Sequence, residues 1–154
     1  MTESRKQQLE QQVILAARDY GTSTALFRNA VGTRLGVNVT DMECLALLFF
    51  KGTATPTELS KHTGLSSGAT TAMLDRLERI ELITRRPNPD DHRSSLIEAN
   101  PATRSSIGPL FTAVRDTQQE LLANYSEDDL ALVADFLQSL TAVWERGRQV
   151  LPPS

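Results

Sequence analysis

The sequence predicts a mainly α fold with one short β-hairpin, on three observations. Apolar residues recur at helical spacing over most of the 154 residues. A short capped helix, a glycine-containing turn and a longer helix follow one another between Thr55 and Glu81. A strand, a turn-rich loop and a return strand come directly after. The length fits one ordinary domain, here taken as residues 1–154, with enough chain to bury a core.

From about Arg5 to Leu35, apolar positions at Leu9, Val13, Ile14, Ala17, Leu26, Phe27, Ala30 and Val31 give a helix with a weak point at Gly21. Thr40 and Glu43 have the spacing of a capping box and predict the next helix start. Leu45, Leu47, Leu48, Phe49 and Phe50 then make that helix apolar nearly all round, so it should be central. Lys51-Gly52 ends it. Thr55 and Glu58 form a second box, with Pro56 at the favoured first position. Leu59 is the core residue of this short helix, and Gly64 closes it. Ser66 or Ser67 caps a longer helix reaching about Glu81.

Leu82 to Arg86 is strand-like, Pro87 to Asp91 is dense in turn residues, and Leu96 and Ile97 begin a return strand. Asn100-Pro101 opens a helix through Ile107, Leu110, Phe111, Val114, Leu121 and Leu122, with Pro109 either kinking it or marking its true start. Ser126 opens the last helix, where Leu130, Val133, Phe136, Leu137, Leu140, Val143 and Trp144 share one stripe. These elements describe a winged helix-turn-helix over residues 36–99, flanked by helical segments 1–35 and 100–150. The apolar residues of those flanks exceed what a three-helix module needs, so they are expected to build a dimer interface.

Composition narrows the function. Hydrophobic residues at 40% and charged residues at 23% describe a globular chain. No apolar run approaches the ~20 residues that span a bilayer, and Met1 to Gln12 is too polar for a signal peptide. The single cysteine, Cys44, excludes an internal disulfide and suits a reducing compartment, so cytoplasm is expected. Cys44 lies among apolar neighbours and reads as a buried structural thiol. His62 and His92 stand apart from other metal ligands, and no nucleophile with its base or phosphate loop is visible. Neither an enzyme nor a cofactor is expected. The net charge of −3 sits in the last third: residues 1–54 carry +1, 55–96 are neutral and 97–154 carry −4. A neutral module is weak ground for nucleic acid, although a small contact patch is decided locally.

On the helix from Ser66, at about 100° per residue, Ala69, Met73, Leu77 and Ile80 are expected to face the core. The opposite side shows Ser67, Gly68, Thr71, Ala72 and Asp75, with Arg76 and Arg79 on its flanks. A merely solvated face would favour long Lys and Glu. Small side chains instead allow close approach to another surface, as in a major groove, with the helix N-terminus offered to a phosphate. In the hairpin, Arg85 and Arg86 sit at the base and Asp91 and Arg93 at the tip. The Asp91 carboxylate can hold the Arg93 guanidinium for entry into a narrow minor groove. Taken alone, the first pair is better read as a charged strand edge and the second as an exposed salt bridge; following a helix-turn-helix, both fit a wing.

The run Leu59 to Arg79, continued by Leu82 to Arg86 and by Asp90 to Ser94, resembles the MarR (multiple-antibiotic-resistance regulator) family of winged helix-turn-helix transcription factors. Leu74-Asp-Arg-Leu77 and the Asp-x-Arg of the hairpin are its most specific parts. The resemblance implies a homodimer joined through first and last helices, acting on double-stranded DNA at a pseudo-palindromic operator. Repression relieved by a small aromatic or anionic effector is also implied. It further implies groove or phosphate contacts from Ser66, Ser67, Thr70, Thr71 and Arg76, and a wing contact from Arg93; Gly68, on the small helix face, and Arg85 and Arg86, at the hairpin base, are expected to join them. Asp91 would serve as wing scaffold. Three departures stand out. Glu81 stands where the family usually has Gly, and a left-handed Glu would be strained, so a rebuilt helix end is expected. Ala99-Asn100 and Pro101 to Arg104 replace the usual Leu-Thr and downstream Gly, a change that Asn-Pro capping absorbs, and the helix from Ser66 lacks a long amide or Arg on its outermost face. The rival reading is a helical protein-interaction module on the same scaffold that no longer binds DNA.

Overall fold

A computed structural model describes residues 4–151. The chain divides into two compact units, residues 1–111 and 112–154. Among the described residues, six helices and three strands run in the order α1 (Arg5–Leu35), α2 (Val39–Lys51), β1 (Thr53–Ala54), α3 (Pro56–Thr63), α4 (Ser67–Arg79), β2 (Ile83–Pro87), β3 (Ser95–Ala99), α5 (Pro101–Leu122) and α6 (Glu127–Gln149). The strands form one antiparallel sheet ordered β1-β3-β2, with Arg85 opposite Ile97 and Thr53 opposite Glu98. Two-residue β1 was not expected: it is too short to show an alternating pattern, and its pairing is long-range.

Sequence capping explains most helix starts. Thr55 and Glu58 close the reciprocal box on α3, Ser126 and Asp129 do so on α6, and Ser66 accepts the Ala69 amide on α4. The expected Thr40 box does not form. α2 starts earlier, and Asn38 Oδ1 accepts the Asp41 amide at 2.8 Å. Asn is as good a cap as Thr, and using it lengthens α2 by two residues, about half a turn. α1 passes through Gly21 without a break, and α5 runs on through Pro109, which therefore does not mark its start.

The core of the first unit joins Val31 of α1, Met42, Cys44, Leu45 and Leu48 of α2, and Leu59 of α3. Met73, Leu74 and Leu77 of α4, Ala54, Ile83 and Ile97 of the sheet, and Ile107 of α5 complete it. Phe111 packs edge-on to Phe27 and stacks on Phe49, pinning α5's first half to α1 and α2. α2 is central on one face only: Phe50 is 75% exposed. In the second unit α6 buries no residue. Val133, Phe136, Leu137, Val143 and Trp144 all lie open, as do Leu9, Val13 and Ile14 of α1 in the first unit.

The end of α4 is not rebuilt. The Leu82 amide donates to Leu77 O and the Glu81 amide to Glu78 O, each at 3.0 Å, the paired bonds of a Schellman cap. That geometry needs a left-handed residue, and Glu81 takes it at φ 59°. A side chain with a Cβ is strained there, so Glu81→Gly should raise stability by about 1 kcal/mol. A urea midpoint that stays put or falls would show the strain to be absent.

Candidate nucleic-acid interface

Helix α4 packs through Thr70, Met73, Leu74 and Leu77, the i, i+3, i+4, i+7 stripe of an amphipathic helix. This corrects the expected face. Ala69 is exposed and Ile80 lies half open beyond the helix, whereas Thr70 and Leu74 are buried. Thr70 is 2% exposed, and its hydroxyl donates to Ser66 O at 2.9 Å. A buried, internally bonded hydroxyl belongs to the core, so Thr70 is not among the outward groups. The small face survives the correction: Ser66, Ser67, Gly68, Thr71 and Ala72 are exposed. Ser66 Oγ receives the Ala69 amide at 3.2 Å, leaving its own proton to give. Thr71 donates to Ser67 O at 3.1 Å, which leaves its methyl as the group free for an outside surface.

The arginines divide by partner. Arg76 reaches from α4 to α2, with Nε 3.2 Å from Asp41 Oδ2 and Nη2 bonded to Oδ1. These bonds hold the guanidinium protonated even more firmly than usual. Arg85 of β2 lies across the carboxylates of Asp75 and Glu78 on α4, at 2.6 and 3.3 Å, so strand and helix are laced together. Arg86 pairs with Glu98 of β3 at 3.4 Å. Arg93 has no ion pair among the described residues, and it is exposed. The expected Asp91–Arg93 clamp takes another form. Asp91 Oδ1 accepts the backbone amide of Arg93 at 3.0 Å, and Asp91 O accepts the Ser94 amide at 2.9 Å. A carboxylate two residues back reaches an amide more easily than the end of a long side chain. Asp91 thus folds the tip while the guanidinium is left free. Asn88 does similar work: it is buried, and its Oδ1 accepts the Asp90 amide at 3.0 Å.

Sequence reasoning missed both cross-element ties, Arg76 to Asp41 and Arg85 to Asp75 and Glu78. An acid in the first turn of α2 has a sufficient local explanation in the helix dipole, so nothing flagged Asp41. It also missed a cavity of about 380 Å³ between α1 and the start of α2, lined among others by Leu26, Arg28, Asn29, Met42 and Glu43. Arg28 there approaches Glu43 at 3.0 Å. Cys44 is fully buried, and burial beside the Asp41 charge pushes its thiol up to about 12. It is a neutral packing group at physiological pH, as the apolar setting predicts. Among the described residues no cluster of three or more His, Cys, Asp or Glu could hold a metal ion, and no helix is long and apolar enough to cross a membrane.

Residues 37–95 match the family model described as MarR. The sequence is 33% identical over 144 residues to YcgE of Bacillus subtilis, an uncharacterised HTH-type transcriptional regulator. That match covers 94% of each protein. It is 32% identical over 107 residues to the multiple antibiotic resistance protein MarR of Salmonella typhimurium, covering 69% of this chain and 74% of that one. Among solved structures, a variant of MarR from Escherichia coli complexed with operator DNA superposes with a TM-score of 0.50 at 25% identity. It covers 84% of this chain and 95% of that one.

Proposed function

The chain belongs to the MarR family, whose members are transcriptional regulators and not enzymes, and from that premise we propose that it binds double-stranded DNA as a cytoplasmic homodimeric repressor. Helix α4 is the reading element and the β2–β3 hairpin the wing. One observation carries this reading: the outward face of α4's first two turns is exposed and built from small residues, including a glycine the fold itself does not need. A Cβ on Gly68 would meet nothing within 4 Å, although glycine inside a helix weakens it. Close approach of an outside surface accounts for that choice. Ser66, Ser67, Gly68 and Thr71 then face the major groove, Arg85 and Arg86 flank it, and Arg93 enters the minor groove beside it.

The neutral charge of residues 55–96 is compatible with this reading, because carboxylates beside the α4 face are met by arginines. Asp75 and Glu78 share Arg85, and Glu98 faces Arg86. Homodimerisation is supported by the open apolar residues of α1, α5 and α6, which a lone chain would leave in water. A two-fold dimer implies a pseudo-palindromic operator with half-sites about 34–36 Å apart. For relief by a small aromatic or anionic effector, the cavity supplies room and apolar walls, with Arg28 as a cation that an anion would take over from Glu43.

Selection of bound duplexes from a random pool, with light scattering on the same sample, tests the proposal. Enrichment of one pseudo-palindrome by a dimer is expected. A monomer at micromolar concentration, or a pool that stays random, would remove it in favour of the protein-interaction reading.

A further inference from the structure

We propose that Asp41 is a positioning residue for DNA reading, acting through Arg76, which tethers α4 to α2 and is not itself a phosphate contact. The inference rests on the DNA-binding reading above. Its observation is a carboxylate that the local chain does not explain. Asp41 is 2% exposed, yet an acid placed in a first helical turn for the helix dipole needs no burial. Burying a carboxylate is costly unless a partner meets it, and the partner comes from 35 residues away. Arg76 meets it with Nε and Nη2 on the two oxygens, a planar fork that fixes direction as well as distance.

What the fork adds to α4 is orientation. The inner stripe of Thr70, Met73, Leu74 and Leu77 supplies apolar and small groups that resist withdrawal of the helix but tolerate some roll and slide. The backbone of Asp41 is itself fixed, since its amide donates to the Asn38 cap. The tether therefore runs from an anchored turn of α2 to the last turns of α4. On the far side of α4, Arg85 braces Asp75 and Glu78 from the wing. An apolar pair at 41 and 76 could hold the core as well as the ion pair does, so the pair's distinctive contribution is geometry. Reading bases demands it, because hydrogen bonds to base edges tolerate little displacement.

The experiment compares Asp41→Asn, Arg76→Lys, Arg76→Gln and the double variant Asp41→Asn/Arg76→Gln with the parent on the selected duplex. Affinity is read between about 50 and 200 mM salt on protein shown to be folded, with hydrogen exchange of α4 amides alongside. A tether predicts that Asp41→Asn weakens binding about tenfold or more at an unchanged salt slope, while α4 exchanges faster. Arg76→Lys, which keeps the charge but loses the fork, should weaken binding as much. The double variant should be no weaker than the weaker single one, because both remove one bond. Should Asp41→Asn fail to fold, Arg76→Lys decides alone. Unchanged binding by either of these variants overturns the tether. So does a slope reduced by about one per half-site in Arg76→Gln, which would make Arg76 a phosphate contact. Loss of folding stability with full affinity in the folded fraction overturns it too. A parent that binds no duplex overturns the DNA-binding reading and this role with it, whereas the other failures leave that reading standing.

Discussion

Thr71→Glu should abolish specific binding while leaving the fold intact, a loss of roughly a thousandfold that brings affinity to the non-specific level. Thr71 is exposed on the outward face of α4, and its hydroxyl is bonded only to Ser67 O within its own helix. No core contact is lost, and Glu is a better helix former than Thr, so stability should change by no more than about 0.5 kcal/mol. In a groove the new carboxylate would face phosphates and desolvated base edges, where a like charge costs several kcal/mol. Thr71→Val, which keeps the outward methyl and gives up only the hydroxyl bonded to Ser67 O, should bind nearly as the parent does. Circular dichroism and a fluorescence titration on the selected duplex check both halves. If Thr71→Glu binds as well as the parent, α4 is not the reading element.

How much of this was legible in the sequence depends on distance along the chain. The box at Thr55, the helix start at Ser126 and the cap at Ser66 are local devices, and all three are present. The start of α2 was misplaced because Thr40 and Asn38 are both competent caps, and spacing to a later acid cannot rank them. On α4 the period was legible but its phase was not. A face containing Thr70 looks polar, yet a threonine that bonds its own helix backbone is satisfied and can be buried. Choosing Ala69 and Ile80 for the core followed hydrophobicity where Leu74 and a bonded Thr70 had the better geometry.

The site divides in the same way. Which residues are small and outward on α4 could be read from residue type, as could the turn chemistry at Asn88 and Asp91. Partner choice could not. Arg76 has an adjacent acid at Asp75 but bonds to Asp41, and Asp75 bonds instead to Arg85. Only the packing of α2, α4 and β2 decides between those pairings. The same packing answers the objection from charge. An acid near DNA repels it most when it is bare. Here Asp75 and Glu78 share Arg85 and Glu98 faces Arg86, which leaves the α4 face less acidic than a count of residues implies. Exposed pairs of this kind are weak, so their importance here is to remove repulsion rather than to add stability.

Arg93→Ala should lower affinity by roughly 1–3 kcal/mol and reduce the magnitude of the salt slope by about one per half-site. The guanidinium is exposed and without an ion pair among the described residues, so nothing in the chain competes for it when DNA arrives. Asp91→Ala separates scaffold from contact. It removes the acceptor of the Arg93 amide and so loosens the tip, while the cation stays. Its loss should be that of ordering one freed segment, about 0.5–1.5 kcal/mol, at a slope close to the parent's. Charge counting alone forecasts the reverse, since deleting an acid beside DNA should tighten binding. The bond from Asp91 to the backbone, and not to the guanidinium, sharpens the contrast. Asp91→Asn retains a carbonyl oxygen for the Arg93 amide and should restore most of the affinity, which a role in neutralising Arg93 would not allow. Titrations of the three variants between about 50 and 200 mM salt decide it. Tighter binding by Asp91→Ala, or a slope for Arg93→Ala equal to the parent's, would mean that the β2–β3 hairpin does not touch DNA.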